Sequence, residues 1–235
     1  MPDESYTIRP IAHIRSDFSD KFGIPRQSGL VNALRARVVF DPAYRNPDAL
    51  RGLEGYGCIW LIWQFSAVVA AGQDGANWRP TVRPPRLGGN TRMGVFATRS
   101  PYRPNALGLS CVQLLGVEQN APEGPCLLVA GADLLDGTPI YDIKPYLPHV
   151  ESHPDAAAGF VAAAPAHDLE VAADPALLDK VPAQKRQALL GVLAQDPRPA
   201  YQHDPERLYG LDFAGLRVKF CVTGNVLTVV NVEVL

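Results

Sequence analysis

The sequence is poor in cysteine, histidine and methionine, and its scarcities exclude more than its abundances assign. Among 235 residues there are four cysteines, two methionines and five histidines, and charged side chains make up only 20%. Cys58, Cys111, Cys126 and Cys221 are scattered, with no two at the spacing of paired metal ligands. No metal site and no disulfide framework is expected; reduced thiols in an intracellular chain fit better. No apolar run approaches the roughly 18 residues of a membrane span. The opening segment MPDESYTIRP is polar and lacks a signal-peptide pattern, so a cytoplasmic protein without membrane association is expected. No Gly-x-Gly-x-x-Gly follows a strand-like run, which argues against a doubly wound dinucleotide fold.

The most informative absence is local. Between Asp74 and Glu118 there is no acidic residue, and no lysine. The same window holds Arg79, Arg83, Arg86, Arg92, Arg99 and Arg103, spaced by glycines and prolines. Guanidinium groups present a planar fork of donors that matches carboxylates and phosphates. Solvated basic faces ordinarily mix lysine and glutamate among their arginines, so this stretch reads as an anion-binding surface. The net charge is only −2, which fits local contact with one anionic ligand better than broad wrapping of a polyanion.

Strand-like patterns dominate the first 150 residues. Residues 5–15, 36–40, 94–98, 108–118, 126–132 and 138–143 read as strands, and the apolar, β-branched and aromatic run 58–70 (CIWLIWQFSAVVA) as a long buried one. Asn46 caps a short helix that begins at Pro47. Residues 72–92 form a loop and 101–105 a turn. No βα alternation appears, so the fold is expected to be mainly β: a closed or nearly closed antiparallel barrel. The character changes near residue 151. Residues 154–168 are rich in alanine and proline and read as a linker. Two helices open at Pro175 and Pro182, the second placing Ala188, Leu189, Val192 and Leu193 on one face and stopping at Asp196-Pro197. Strands at 208–213, 216–222 and 226–235 follow, the last two joined by a hairpin at Thr223-Gly224-Asn225. A smaller α+β domain over 151–235 is therefore expected after a barrel domain over 1–150.

Four segments, PRQSGLV (25–31), RPTVRPPRLGGNTRMGVFATRSPYRPNALGLS (79–110), DLLDGTPIYDIKPYLP (133–148) and LAQDPRPAY (193–201), resemble the family of S-adenosylmethionine-dependent tRNA methyltransferases that act on N6-threonylcarbamoyl-adenosine in the anticodon loop. The resemblance implies a single-sheeted antiparallel β-barrel, a homodimer with the cofactor near the subunit interface, and a C-terminal domain that helps hold tRNA. Carried over residue by residue, it places the S-adenosyl-L-methionine pocket at Pro25, Arg26, Gln27, Ser66, Ala67, Arg92, Tyr102 and the run Asp133, Leu134, Leu135, Asp136. Where relatives carry a His-Gln pair, this chain has Ser66-Ala67, so only backbone contacts can be shared there.

The acceptor in such a reaction is the exocyclic N6 of adenosine, whose lone pair is delocalised into the ring. The site must accept hydrogen bonds from N6–H and align nitrogen, methyl carbon and sulfur. Asn105, in Arg103-Pro104-Asn105, offers a side-chain acceptor, or closes the turn through its own backbone. Asp142, between two apolar strand residues, either touches substrate or pairs with an arginine, and the pairing is favoured. Arg83, Arg86, Arg99 and Arg103 are expected to meet phosphates and the threonyl carboxylate of a flipped base. Tyr102 and Trp78 are stacking candidates, although Trp78 reads first as a core residue. Arg198 is expected to dock the small domain or to touch RNA, and His149 and His153 read as surface residues. The other functions weighed are a non-catalytic RNA- or nucleotide-binding barrel and methylation of a small metabolite or protein.

Overall fold

A computed structural model describes residues 6–70, 72, 78–84, 91–163, 168–199, 202 and 204–235. Its first half is built from β1 (Ala12–Arg15), β2 (Arg35–Phe40), β3 (Cys58–Gln64), β6 (Leu107–Glu118), β7 (Cys126–Ala130) and β8 (Pro139–Pro145). These six close into a barrel in the order β1-β2-β7-β6-β3-β8, every neighbouring pair antiparallel. Closure removes the exposed edges that an open sheet of apolar strands would carry. Side chains alternate strictly along β3: Ile59, Leu61 and Trp63 are buried inside the barrel, whereas Cys58, Trp60, Ile62 and Gln64 are half-buried on its outer wall. Ala12, Ile14, Val38, Phe40, Val112, Leu127, Val129 and Ile140 fill the interior.

The apolar run 58–70 is not one strand. β3 ends at Gln64, and Ser66–Ala70 is a short helix, α1. The reason is the partner strand: Gln64 pairs with Leu107, the first residue of β6, and the Phe65 N–H takes the last carbonyl, that of Ala106. Beyond that point the β-branched Val68 and Val69 have no ladder to join, and their N–H groups turn back to the Phe65 carbonyl. The expected strand at 94–98 is likewise corrected. Met93–Gly94 (β5) pairs for two residues with Thr81–Val82 (β4), then Val95–Ala97 turns as a 3₁₀ helix. Pro80 and Pro84 flank β4 and carry no N–H, so the ribbon cannot extend. The short helix after Asn46 is also 3₁₀, over Pro47–Leu50, with the Asn46 side chain accepting from the Asp48 N–H as expected.

The second half contains α2 (Pro148–Glu151), β9 (Glu170–Ala172), α3 (Pro175–Leu178), α4 (Ala183–Ala194), β10 (Tyr209–Phe213), β11 (Leu216–Thr223) and β12 (Val226–Val234). Its sheet runs β10-β11-β12-β9, with β9 parallel to β12. β9 lies just past the expected linker, where the sequence signalled no strand. Within the linker, residues 159–163 form a 3₁₀ turn. The apolar face of α4 (Ala188, Leu189, Val192 and Leu193) is buried against this sheet.

The core beneath that sheet also takes Phe18, Val31 and Leu34 from the long loop between β1 and β2. Gly191 of α4 lies so close to Val31 that a Cβ would come within 2.7 Å of its Cγ1. Lys185 donates to the Asp17 carboxylate at 2.6 and 2.7 Å, and the Asp17 carbonyl accepts the Ala214 N–H at 2.8 Å. The loop 16–34 is therefore held from the C-terminal side while its middle reaches the barrel rim.

An arginine-lined cleft as the candidate active site

Three segments meet at one end of the barrel. The first is the loop 25–32. Pro25 is buried there, and the Gly29 N–H bonds the Gly131 carbonyl at 2.9 Å. Both glycines have positive φ, 80° and 73°. A Cβ on Gly131 would sit 3.2 Å from the Gly29 backbone, so the two turns lie against each other. The second is the β4–β5 ribbon, which carries Arg79, Arg83 and Arg92. The third is the turn after Ala97. The Thr98 hydroxyl donates to the Val95 carbonyl at 2.9 Å, and the Arg103 guanidinium braces the Thr98 carbonyl at 3.3 Å.

Between them lies a cleft of about 1330 Å³ whose lining includes Arg26, Arg79, Arg83, Arg92 and Arg99, with no acidic side chain among its described residues. Gln27 and Arg99 bond each other across the loop–turn junction, and Arg92 donates to the Thr81 hydroxyl at 3.3 Å. Tyr102, Phe96, Thr98 and Ser100 line the same cleft. One wall was not signalled by the sequence: Ala158, Phe160 and Val161 of the inter-domain segment complete it. An alanine- and proline-rich composition reads as a spacer, and nothing in it marks a residue that will face a ligand.

Of the residues expected in the site, Arg26, Gln27, Arg83, Arg92, Arg99 and Tyr102 share this cleft. Arg86 lies outside the described residues. Arg103 is half-buried and braces the 98–103 turn rather than lining the cleft. Ser66 and Ala67 open α1 beyond the end of β3 and are not part of the lining. Asn105 is exposed in the turn before β6, its carbonyl accepting the Leu107 N–H at 2.7 Å. Asp142 stands on β8, and its partner is Lys144 at 3.1 Å, not the arginine expected. Arg198 lies against Asp196 through two hydrogen bonds of 2.8 and 2.9 Å. Burial pushes the Asp196 carboxyl up, but the Arg198 bonds and charge, with Arg26 adding to them, hold it below the usual carboxylate range. Trp78 is exposed, against the expectation that it belongs to a core.

The run 133–136 divides in two. Leu134 is buried in the barrel, the Leu135 carbonyl accepts the Thr138 hydroxyl at 2.7 Å, and Asp136 accepts the Ser16 N–H at 2.9 Å, so these three close the barrel end. Asp133 alone faces the rim. Burial raises its pKa, while the Ser110 hydroxyl, the N–H groups of Asp133 and Ser28, and the Arg99 charge oppose that rise. Ser110, 1% exposed, is one of the few fully buried polar side chains. The sequence drew no attention to it.

A closed antiparallel β-barrel whose mouth is lined by arginines and aromatic rings, with no acidic side chain among the described lining, defines a class of barrel suited to flat anionic ligands. Comparison with known proteins narrows that class. The chain belongs to the tRNA-methyltransferase O family: that family's N-terminal domain matches residues 13–152 and its C-terminal domain residues 166–235. It is 42% identical over 227 residues to the tRNA (adenine(37)-N6)-methyltransferase of Escherichia coli (strain K12), covering 93% of this chain and 94% of that one. The protein of the same name from Eikenella corrodens is 53% identical over 163 residues, 69% of this chain and 88% of the other. A Pseudomonas aeruginosa protein provisionally named as an S-adenosylmethionine-dependent methyltransferase, RcsF, is 40% identical over 88% of both chains. The crystal structure of TrmO from Pseudomonas aeruginosa superimposes with a TM-score of 0.76 at 31% identity, over 97% of this chain and 99% of that one.

Proposed function

We propose that this protein methylates N6 of an adenine in the anticodon loop of tRNA with S-adenosylmethionine as donor. The observation that carries the reading is the convergence of five arginines, from three separate segments, on one acid-free cleft. The relatives' name points to adenine 37. A cleft of about 1330 Å³ exceeds the ~300–1,000 Å³ of a pocket for one small molecule, so a nucleoside cofactor and a flipped base fit together.

The lining suits the donor. Arg92 and the Gln27–Arg99 pair supply cationic and amide groups for its carboxylate, and Pro80, Ala97 and Val161 supply an apolar wall for its adenine. When bound, S-adenosylmethionine supplies an electrophilic methyl carbon. The chain's own part is alignment and electrostatics. Guanidinium groups on one cleft hold an anionic nucleoside in place, and the hydroxyl oxygens of Thr98 and Ser100 line the same cleft as acceptors for N6–H. Asn105, three residues beyond Tyr102, is outside the described lining of the cleft, so we read it as closing the turn before β6. We read Asp142, tied to Lys144, as structural. Asp133, held by Ser110, is within electrostatic reach of Arg99.

The finer substrate we infer is threonylcarbamoyl-adenosine of threonine-acceptor tRNA, because Arg83 and Arg99 offer partners for a threonyl carboxylate beside the ring. Residues 151–235 are read as a tRNA-holding domain after a barrel domain over 1–150. A homodimer is inferred from the outer barrel wall, where Leu109 (54% exposed) and Leu115 of β6 accompany Ile62 of β3, with Val150 (55%) of α2 also exposed. No helix among the described residues is long and apolar enough to cross a membrane. No cluster among them is placed to hold a metal ion.

The test is transfer of labelled methyl from S-adenosylmethionine to tRNA with and without the threonylcarbamoyl group. Transfer to the modified tRNA alone is expected. Equal transfer to both would remove the threonyl specificity. No transfer with RNA binding intact would leave a non-catalytic binding barrel.

A further inference from the structure

Phe96 is 74% exposed, the most open phenylalanine that the structure describes as exposed. Its ring lies 5.9 Å from the ring of Trp78, itself 40% exposed, at an interplanar angle of 32°. Single exposed apolar residues are common and need no explanation. Two large rings in tilted contact at the mouth of an arginine-lined cleft do, with Phe96 mostly exposed and Trp78 partly so.

The pair is also held firmly. Phe96 rides the 3₁₀ turn Val95–Ala97, whose Val95 is buried and whose Thr98 N–H bonds the Val95 carbonyl at 3.1 Å. The Val95 N–H bonds the Pro80 carbonyl at 2.9 Å, two residues beyond Trp78. The two rings are thus tied through the ribbon that bears Arg79, Arg83 and Arg92. Phe96 lines the cleft and Trp78 lies against its ring, while Arg79, Arg83 and Arg92 flank β4 and β5 and line the same cleft.

We infer that Phe96, backed by Trp78, is a stacking platform for an unpaired base adjoining the target adenine in the tRNA loop. The inference rests on the function proposed above and deepens it. A protein of near-neutral charge draws little affinity from the general phosphate field, so a few strong local contacts must hold the loop. Every base offers a π-face, so stacking grips the neighbour whatever its identity, while the flanking arginines meet the phosphates on either side. Extruding the target adenine also unstacks its neighbour, and the aromatic pair replaces the lost surface.

The experiment uses the full-length protein and anticodon stem-loop RNAs in which each loop nucleotide next to the target is made abasic in turn. Wild-type protein should lose roughly ten- to hundredfold in RNA affinity with one of these RNAs, and Phe96→Ala should lose a similar factor with the intact RNA. Combining the two should cost no more than either alone. Phe96→Trp should retain affinity, and Phe96→Leu should not. Additive losses at every loop position would overturn the inference, as would unchanged RNA affinity in Phe96→Ala. A fall in S-adenosylmethionine affinity measured by calorimetry on Phe96→Ala would assign the ring to the cofactor instead, and a changed sedimentation coefficient would assign it to a subunit contact. Failure of the wild-type protein to methylate tRNA bears on the proposed function alone and leaves the binding result readable.

Discussion

The Ser110 hydroxyl donates to the Asp133 carboxylate at 2.6 Å and accepts the Trp63 indole N–H at 3.0 Å. One buried hydroxyl thereby joins the packed interior of the barrel to a carboxylate in electrostatic reach of Arg99. Ser110→Ala should strand the Trp63 N–H without a partner, at a cost of about 1–3 kcal/mol. It should also push the Asp133 carboxyl further up, because a donor to its charged form is lost. The sign follows from linkage. An acid with a raised folded-state pKa binds its proton more tightly when folded, so stability falls as pH climbs from the unfolded value to the folded one. The destabilisation should therefore be larger at neutral pH than in acid. Urea midpoints across that range are the measurement, and a loss independent of pH would separate Ser110 from Asp133.

Arg92 lines the cleft and, among the described residues, donates to the Thr81 hydroxyl. If it holds the donor's carboxylate, Arg92→Ala should weaken S-adenosylmethionine binding by about 1.5–3 kcal/mol, the worth of a charged hydrogen bond. Arg92→Lys should recover only part of this, because a point charge does not replace a planar fork. Calorimetry reads both, and unchanged affinity removes Arg92 from the cofactor's partners.

Arg83 is exposed on the cleft wall. As a phosphate or carboxylate partner it should matter to RNA and not to the donor. Arg83→Ala should weaken tRNA binding with little dependence on loop sequence, and the slope of log affinity against log salt should fall by about one. A small-metabolite substrate would leave the slope and the activity untouched.

Gly108 opens the inner wall beneath Trp63. A Cβ there would approach the indole to 2.3 Å, closer than any side chain tolerates. Trp63 also stacks edge-on against Phe65 at 4.4 Å and donates to Ser110, so it has little room to move. Gly108→Ala should cost about 1–3 kcal/mol or more by overpacking and shift the tryptophan fluorescence. A thermal midpoint equal to the parent's would show that the ring relocates freely.

The parts of this molecule legible in the sequence are those where pattern and structure share a period. The apolar strand that opens at Cys58, the α4 stripe, the Asn46 cap and the Gly224-Asn225 hairpin depend on residues close together in the chain, and all four appear. The acid-free arginine stretch was legible because a missing charge is as visible as a present one. What escaped depends on partners far away. Ser66 begins a helix only because Leu107 is where its neighbour strand starts. Arg103 braces a carbonyl rather than facing the cleft because the 98–103 turn folds over it. Phe160 faces the cleft because the chain between the two sheets passes there, and nothing in its composition records that path. Trp78 looked like core because large aromatics usually are; here the ribbon is too narrow to cover it.

The loop bearing Pro25, Arg26 and Gln27 is pinned by Phe18, Val31 and Leu34 beneath a sheet made from the last third of the chain. During synthesis the barrel strands emerge first, yet the apolar anchors of this loop have no core to enter until β10, β11 and β12 have left the ribosome. This wall of the cleft is therefore among the last features to set, and a prematurely terminated chain would display a finished barrel with an unassembled mouth.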